Sequence, residues 1–325
     1  MLGGADSLPW IEKYRPLYLD DVVGNVDIVD RLKTVAKEGN MPNVILAGPP
    51  GIGKTSSILC LAREMLGDAY KEGVLELNAS DERGVDVVRE KIKMFAQKKV
   101  SLPVGKHKLI VLDEADYLTT GSQQALRRIM EIYSNTTRFA LACNESHKLI
   151  EAIQSRCVML RYGKLQDSDV LARCEHVVAA ENIAATDDGL AAILFISDGD
   201  MRHAVNALQA TYSGCGLVSE VNVFKVVDSP HPALLLELLA DLQTNKRDQA
   251  FSRFQTLWDQ GYALADVLSV LFRVLTSPAT KMPEDVKIYY LEMVAEAQVR
   301  AAAGVDSLLQ ADNLLLRMCG GAPKP

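Results

Sequence analysis

Short, mainly apolar runs alternate with amphipathic segments through the first half of the chain. The runs predict five strands, at 44–47, 74–78, 109–112, 138–143 and 158–161. Segments in which apolar residues recur every three or four positions predict helices between them, at 57–66, 85–97, 122–133 and 148–155. Strands that are apolar on both faces and alternate with helices are typical of a parallel sheet covered on both sides. The pattern therefore predicts an α/β domain built on a five-stranded parallel sheet.

The pattern after residue 165 predicts helices and no further strands. Four short amphipathic segments come first, at 167–181, 187–197, 200–212 and 219–227, and Thr186 is a suitable N-cap for the second. Pro230 and Pro232 then interrupt the helical pattern. Five more helices are predicted beyond them, at 233–243, 247–260, 263–276, 284–303 and 306–318. The chain is thus α/β followed by all-α, with predicted domains at 1–164, 165–228 and 229–325.

Leucine-rich stripes mark the last of these domains. One consists of Leu234, Leu235, Leu238, Leu239 and Leu242, and another of Leu264, Val267, Leu268, Leu271 and Leu275. An apolar stripe on one helix face predicts a helical core or packing against partner helices.

Composition and charge exclude several classes of protein. The 325 residues are 48% hydrophobic with a formal net charge of −7, so any nucleic-acid contact must come from a local basic face or from an assembly. The six cysteines form no C-x-x-C pair and the histidines no H-E-x-x-H, which argues against zinc and disulfides and fits a reducing compartment. No signal peptide or membrane helix is expected. The basic cluster 106–108 predicts a solvated face.

A phosphate-binding motif follows the first predicted strand and opens a predicted helix. Segment 48–55, GPPGIGKT, matches G-x-x-x-x-G-K-[ST] in the context that this motif requires, which argues against an ordinary glycine turn. Backbone amides and the helix N-terminus attract phosphate, Lys54 reaches the β- and γ-phosphates, and the Thr55 hydroxyl binds Mg²⁺. The predicted ATP-binding residues here are Gly48, Pro49, Pro50, Gly51, Ile52, Gly53, Lys54, Thr55 and Ser56.

Polar residues follow the predicted strands at 109–112 and 138–143. Asp113 and Glu114 follow the apolar run 109–112, where parallel sheets bind their ligands. Asp113 is predicted to hold Mg²⁺ and Glu114 to act as general base on the attacking water. Asp116 is predicted to be a helix N-cap or a surface residue. Asn144 ends the following strand; it reaches the same crevice if the two strands are neighbours, and is otherwise an asparagine in a turn.

These motifs together resemble AAA+ ATPases, which are P-loop NTPases with a helical lid. The wider sequence resembles the small subunits of replication factor C, the eukaryotic sliding-clamp loader. The similarity covers nearly the whole chain and is carried by WIEKYRP at 10–16, VVGN at 22–25, LNASDERG at 77–84, SRC at 155–157 and GDMR at 199–202. The resemblance implies that Ile11, Arg15 and Val23 contact adenine and that Arg202 contacts this chain's own nucleotide. Arg156 would act in trans on the nucleotide of a neighbouring subunit.

The resemblance also implies partners. The chain would be one subunit of a nuclear heteropentamer, joined through a C-terminal helical collar, that uses ATP and Mg²⁺ to open a ring-shaped clamp. It would load that clamp on primer–template DNA during replication and repair, contacting the clamp around 95–102. Helix N-termini would face DNA phosphates without sequence preference, with the candidates Arg83, Arg89, Lys93, Gln124, Arg128 and Lys148. Each of these side chains alone is more often a surface residue.

Three alternatives compete with these assignments. Arg156 could be a cation that stabilises the end of its own helix. The chain could be another AAA+ ATPase that remodels DNA or initiates replication, although no basic recognition helix is visible in its last third. It could also bind nucleotide as a structural clip without hydrolysing it. The presence of Lys54, Glu114 and Arg156 argues against that last class.

Overall fold

The structure is a computed structural model that describes residues 8–80, 85–103, 105–277 and 280–319; the side chains of residues 85–89 lie outside that description. The chain divides into two compact units, Met1–Val223 and Phe224–Pro325. The first unit contains the sheet and the helices up to residue 215. The three predicted domains, 1–164, 165–228 and 229–325, remain a prediction. None of the helices in the described ranges combines the length and the apolar character needed to span a bilayer.

A five-stranded parallel sheet forms the centre of the first unit. Its strands are β1 (Val44–Ala47), β2 (Val74–Asn78), β3 (Lys108–Asp113), β4 (Thr137–Cys143) and β5 (Val158–Arg161). They lie in the order β2-β3-β4-β1-β5, and every neighbouring pair is parallel. The predicted fold class is confirmed. Because β4 lies between β3 and β1, the segments that follow these three strands meet at one edge of the sheet.

Helices cover the sheet in the described part of the chain before residue 165. They are α1 (Trp10–Lys13), α2 (Val26–Glu38), α3 (Lys54–Leu66), α4 (Tyr70–Gly73), α5 (Val85–Gln97), α6 (Thr120–Ile132) and α7 (Glu151–Gln154). The sequence predictions omitted α1, α2 and α4. In α2, Val29 and Leu32 are buried one turn apart, and the helix ends at Gly39, whose φ of 77° favours glycine.

The predicted helix at 148–155 is wrong in its first half. Residues Ser146–Lys148 form a 3-10 turn, and α7 begins only at Glu151. The cause is the buried side chain of Gln123 in α6. Its Nε2 donates to the Leu118 and Lys148 carbonyls at 3.0 and 3.1 Å, and its Oε1 accepts from the Ile150 amide at 2.8 Å. These long-range hydrogen bonds replace the ones that a continuous helix would make.

The prediction of a solvated basic face at 106–108 is also wrong for its last residue. Lys108 is only 5% exposed. Its Nζ donates to the carbonyls of Phe95, Ala96 and Lys98, at 3.0, 2.5 and 2.8 Å. The last carbonyls of a helix lack partners within the helix, so the ammonium group caps the C-terminal end of α5. It joins that end to the first residue of β3.

We expect Lys108→Met to lower the free energy of unfolding by about 1–3 kcal/mol, because three buried or half-buried carbonyls lose their donor. Chemical denaturation followed by circular dichroism measures this loss. Lys99→Met is the matched control, since Lys99 is an exposed lysine nine residues away in the same basic region. Equal stability of both variants would contradict a capping role for Lys108.

Four helices follow the sheet: α8 (Asp167–Glu181), α9 (Asp187–Ser197), α10 (Met201–Cys215) and α11 (Glu220–Val227). The expectation of no strands here is wrong, because β6 (Ala184–Ala185) pairs in parallel with β7 (Leu217–Val218). Such two-residue strands are too short to leave a pattern in sequence. The N-cap predicted at Thr186 is confirmed, since its Oγ1 accepts from the Gly189 amide at 3.1 Å.

The described residues of the second unit form helices and the segments that connect them. Its helices are α12 (Pro232–Gln243), α13 (Arg247–Asp259), α14 (Leu264–Thr276), α15 (Glu284–Ala302) and α16 (Leu308–Met318). Both predicted leucine stripes are buried except at Leu234, which is 40% exposed. These stripes form part of the core of the unit.

Candidate nucleotide-binding site

The sheet edge where β1, β3 and β4 end carries a pocket. Three groups of predicted site residues line it: the loop residues Pro50, Gly51, Ile52, Gly53, Lys54, Thr55 and Ser56, the strand-end residues Asp113, Glu114 and Asn144, and the flanking residues Ile11, Arg15, Val23 and Arg202. Gly48 and Pro49 are not part of the lining. They contribute to it indirectly, through their carbonyl groups.

The loop before α3 adopts a conformation that needs glycine. Gly51 and Gly53 have φ values of 70° and 90°. A Cβ atom on Gly51 would also collide with the carboxylate of Asp200, the N-cap of α10. The Met201 amide donates to the Gly51 carbonyl at 3.1 Å. The phosphate loop is therefore in contact with the start of α10, the helix that carries Arg202.

Lys54 connects the loop to β4. Its side chain is buried, and Nζ donates to the Gly48 and Pro49 carbonyls at 2.7 and 2.6 Å and to Asn144 Oδ1 at 3.0 Å. Burial lowers the pKa of Lys54, and the nearby Asp113 carboxylate opposes that effect. Of the two possibilities left open for Asn144, the structure favours the shared crevice, because β3 and β4 are neighbours.

Thr55 and Asp113 bring two oxygens together at the mouth of the loop. Thr55 Oγ1 donates to Asp113 Oδ2 at 2.8 Å, and Asp113 Oδ1 accepts from the Glu114 amide at 3.0 Å. Hydroxyl and carboxylate oxygens are ligands that suit Mg²⁺, which also takes phosphate oxygens and water. The described residues contain no cluster of three or more His, Cys, Asp or Glu side chains able to hold a metal. The Thr55 hydroxyl and the Asp113 carboxylate fit a magnesium ion that takes its other ligands from a nucleotide and water.

Glu114 occupies a strained backbone position at the pocket. Its φ of 53° lies in the left-handed region, which costs a non-glycine residue roughly 1 kcal/mol or more. The 3-10 turn Ala115–Tyr117 holds it there, with the Tyr117 amide donating to the Glu114 carbonyl at 2.9 Å. Such strain is common where a side chain must be aimed at a ligand.

Asp116 was predicted to be a helix N-cap or a surface residue; it is half-buried and caps no helix. Its Oδ2 accepts from the amides of Asn144 and Glu145, both at 3.2 Å. Its Oδ1 is buried and has no hydrogen-bond donor among the described residues. The side chain therefore bridges from the end of β3 to the end of β4. A carboxylate three residues after Asp113 was visible in the sequence, but its partner 28 residues away was not.

Residues near the N-terminus line the other end of the pocket and contact α8 and α10. The Trp10 amide donates to Gln209 Oε1 at 2.9 Å, and the Tyr14 hydroxyl donates to Glu181 Oε1 at 2.6 Å. Arg173 in α8 donates to the Tyr14 carbonyl and lines the pocket, as Arg15 does. Arg173 was not predicted from the sequence, because one arginine on an amphipathic helix carries no signal of its own.

Arg156 lies outside this pocket and has partners within its own chain. Its Nη2 pairs with Glu131 Oε1 at 2.7 Å, and its Nη1 donates to the Ala152 carbonyl of α7 at 2.7 Å. Glu131 also pairs with Arg127, at 3.2 Å. Burial acts to raise the pKa of Glu131, but the two guanidinium groups together hold it below its ordinary value. Arg156 therefore makes the local contacts that the sequence left open, as a cation at a helix end. These contacts do not exclude a role in trans.

The candidate DNA-contacting side chains are exposed where the structure describes them. Lys93, Gln124, Arg128 and Lys148 are exposed, and Lys148 pairs with Glu145 at 3.0 Å. Arg83 and the side chain of Arg89 lie outside the described residues. The predicted helix N-terminus at Lys148 is wrong, since Lys148 ends the 3-10 turn instead. α6 begins at Thr120, with Thr119 Oγ1 accepting from the Ser122 amide at 3.3 Å.

Comparison with known proteins agrees with this geometry. Residues 44–164 match the family model of the ATPase family associated with various cellular activities, AAA. Among solved structures, the RuvB Holliday junction branch migration motor of Thermotoga maritima is similar, with a TM-score of 0.54 and 17% identity, covering 70% of this chain and 79% of that chain. This likeness shows the fold alone. The fold and the site define an AAA ATPase.

Residues 230–317 match the replication factor C C-terminal domain. Replication factor C subunit 4 of Schizosaccharomyces pombe is 54% identical over 99% of this chain and 94% of its own length. Replication factor C subunit 4 of Saccharomyces cerevisiae is 52% identical over 96% of each chain. The chain belongs to the replication factor C family and is a clamp-loader ATPase subunit. A different remodelling or initiator ATPase is not favoured, because these relatives match over the C-terminal helices as well.

Proposed function

We propose that this chain binds and hydrolyses ATP with Mg²⁺ as one subunit of a nuclear, heteropentameric assembly. That assembly opens a ring-shaped sliding clamp and places it on primer–template DNA. The observation that carries the proposal is the meeting of Lys54, Asn144, the Thr55–Asp113 pair and Glu114 in one pocket that also contacts α10. The family membership supports the rest.

Each residue of the pocket has a separate role in the transfer of a phosphoryl group to water. Lys54 and the loop amides hold the phosphates. Thr55 and Asp113 would hold a magnesium ion, which would supply positive charge against the charge that develops on the phosphate. Glu114 accepts the proton of the attacking water, and Asn144 orients that water against the terminal phosphate. Ile11, Arg15 and Val23 hold adenine, and Arg202 on α10 couples the position of that helix to the bound nucleotide.

Arg156 completes the site of a neighbouring subunit in this proposal. Its position outside the pocket of its own chain supports that assignment. An arginine delivered in trans neutralises charge in the transition state and is worth about 10³–10⁵ in rate. Hydrolysis would thereby depend on assembly.

In this proposal, side chains of α6 and of the 146–148 turn contact the phosphate backbone of DNA. We expect Lys148→Ala and Arg128→Ala to weaken binding of the assembly to primed DNA equally for unrelated sequences. Removal of one bond to a phosphate should reduce the slope of log affinity against log salt by about 0.9. Fluorescence anisotropy across a salt series measures both, and primed-DNA-stimulated ATP hydrolysis should fall in parallel.

The control is Lys33→Ala, because Lys33 is paired with Asp20 much as Lys148 is paired with Glu145. An unchanged salt slope would contradict the proposed DNA surface. The clamp-loading proposal itself fails if the assembly that co-purifies with the chain hydrolyses ATP at the same rate with and without clamp and primed DNA.

A further inference from the structure

We propose that Asp116 is a positioning residue for ATP hydrolysis, which acts by fixing Asn144 against Lys54. The carboxylate lies in the 3-10 turn that follows Glu114, and both of its hydrogen bonds to described residues reach the segment after β4. This inference rests on the role proposed above for Asn144.

The geometry of the bridge makes Asn144 its natural target. Asp116 Oδ2 accepts from the amides of two consecutive residues, Asn144 and Glu145. These are the first residues beyond β4, where the chain leaves the sheet and its hydrogen bonds to neighbouring strands end. A charged acceptor shared by two adjacent amides fixes both the position and the direction of that segment.

The hydrogen bonds to Asp116 also determine where the Asn144 side chain lies. Asn144 Oδ1 accepts from Lys54 Nζ at 3.0 Å, so the bridge continues from Asp116 through Asn144 to the lysine of the phosphate loop. Asn144 is an exposed residue, so little packing holds its backbone in place. Without Asp116, the segment would have more freedom, and Asn144 would reach its working position for a smaller fraction of the time. A loss of position of this kind lowers the rate of the chemical step more than the affinity for ATP.

A competing explanation for an effect of Asp116 on hydrolysis is electrostatic, because its negative charge lies near the Lys54 ammonium group. That explanation depends on charge and does not need Asn144. The explanation proposed here depends on an acceptor oxygen and needs Asn144. Substitutions separate the two, since asparagine at position 116 keeps an acceptor oxygen for the two amides and removes the charge.

The test measures kcat and KM for ATP in the assembled loader, stimulated by clamp and primed DNA, with this chain varied. We expect Asp116→Ala to lower the kcat contributed by this site by about tenfold with KM changed less than about twofold. Asp116→Asn should retain kcat within about threefold of the wild type, because it can still accept from both amides. Asp20→Ala is the control, since Asp20 is an exposed carboxylate paired with Lys33 outside the pocket.

The decisive step is a double-mutant cycle with Asn144→Ala. When one residue acts through another, the losses of kcat caused by substituting each of them are not additive. Asp116→Ala should therefore cause no further loss of kcat when Asn144 is already alanine. Fully additive losses would overturn the inference, as would an Asp116→Asn variant that is as slow as Asp116→Ala. If Asp116→Ala does not fold, Asp116→Glu, which moves the carboxylate by one methylene, replaces it in the cycle.

The same cycle separates failure of this inference from failure of the proposed site. An Asn144→Ala variant with wild-type kcat would remove the role proposed for Asn144, and the inference with it. A slow Asn144→Ala variant beside an Asp116→Ala variant of normal speed would leave the site proposal intact. It would reject Asp116 alone.

Discussion

Lys54→Ala is expected to weaken ATP binding by this chain by about ten- to a hundredfold, since hydrogen bonds to charged groups contribute about 1.5–3 kcal/mol each. Hydrolysis at this site should fall by a further factor of about 10²–10³, because the lysine also meets charge that develops in the transition state. The buried ammonium group already lies within 3.0 Å of two loop carbonyls and Asn144. Titration with a fluorescent ATP analogue and steady-state kinetics of the assembly measure the two effects.

Two further variants decide what Lys54 contributes. Lys54→Arg keeps the charge but brings a larger planar group into a buried space, so we expect it to be nearly as defective as alanine. Lys164→Ala removes an exposed lysine that pairs with Asp198, and it should bind ATP normally. Normal ATP affinity in Lys54→Ala would refute the phosphate assignment. Circular dichroism of the variant checks that the fold survives the loss of the three hydrogen bonds that Lys54 donates.

Features written in one short, contiguous stretch were predictable from sequence. The phosphate loop is such a stretch, because the glycines that permit its conformation, the lysine and the helix start all fall within eight positions. The five strands were also predictable, since each is a mainly apolar run. The central strands β1, β3 and β4 are buried almost throughout, as an apolar run predicts, whereas the edge strands β2 and β5 are partly exposed. The parallel order of the five strands could then be used to bring Asp113 and Asn144 to one edge, conditional on β3 and β4 being neighbours.

Features that depend on a partner far along the chain were not predictable. Gln123 interrupts a helix at Ile150, 27 residues away, and Lys108 is buried because the end of α5 offers it three carbonyls. Asp116 was assigned a local role because its two amide partners follow another strand. In each case the side chain is polar and ordinary in its local sequence, and only tertiary structure supplies the groups it binds.

The contacts of Arg156 bear on whether it can serve a neighbouring subunit. Its ion pair with Glu131 is substantially exposed, with side-chain exposures of 39% and 40%, and exposed pairs are worth about 0–1 kcal/mol. A terminal phosphate carries more charge than one carboxylate and would be met in a less hydrated interface. The free-energy cost of releasing Arg156 from Glu131 is therefore small. A trans-acting arginine lowers the activation barrier by more than this, since it raises the rate by about 10³–10⁵. Arg127 can continue to neutralise Glu131 after that release.

Arg156→Ala is accordingly expected to leave ATP binding by this chain unchanged and to remove nearly all hydrolysis at one neighbouring site of the assembly. The measurement is primed-DNA-stimulated hydrolysis by assemblies that carry the variant, with nucleotide binding by the isolated chain measured in parallel. Arg127→Ala is the matched control, because Arg127 pairs with the same Glu131 carboxylate. If Arg156 stabilises only its own helix end, the two arginine variants should behave alike.

Combination with a second substitution determines which site Arg156 serves. Losses at different sites add, whereas a second loss at a site that is already inactive adds nothing. Arg156→Ala should therefore add to Lys54→Ala, which inactivates the pocket of this chain. It should add nothing to the equivalent lysine substitution in the one neighbour whose nucleotide it contacts. Additivity with that substitution in every neighbour would refute action in trans, and a single non-additive pair would identify the adjacent subunit.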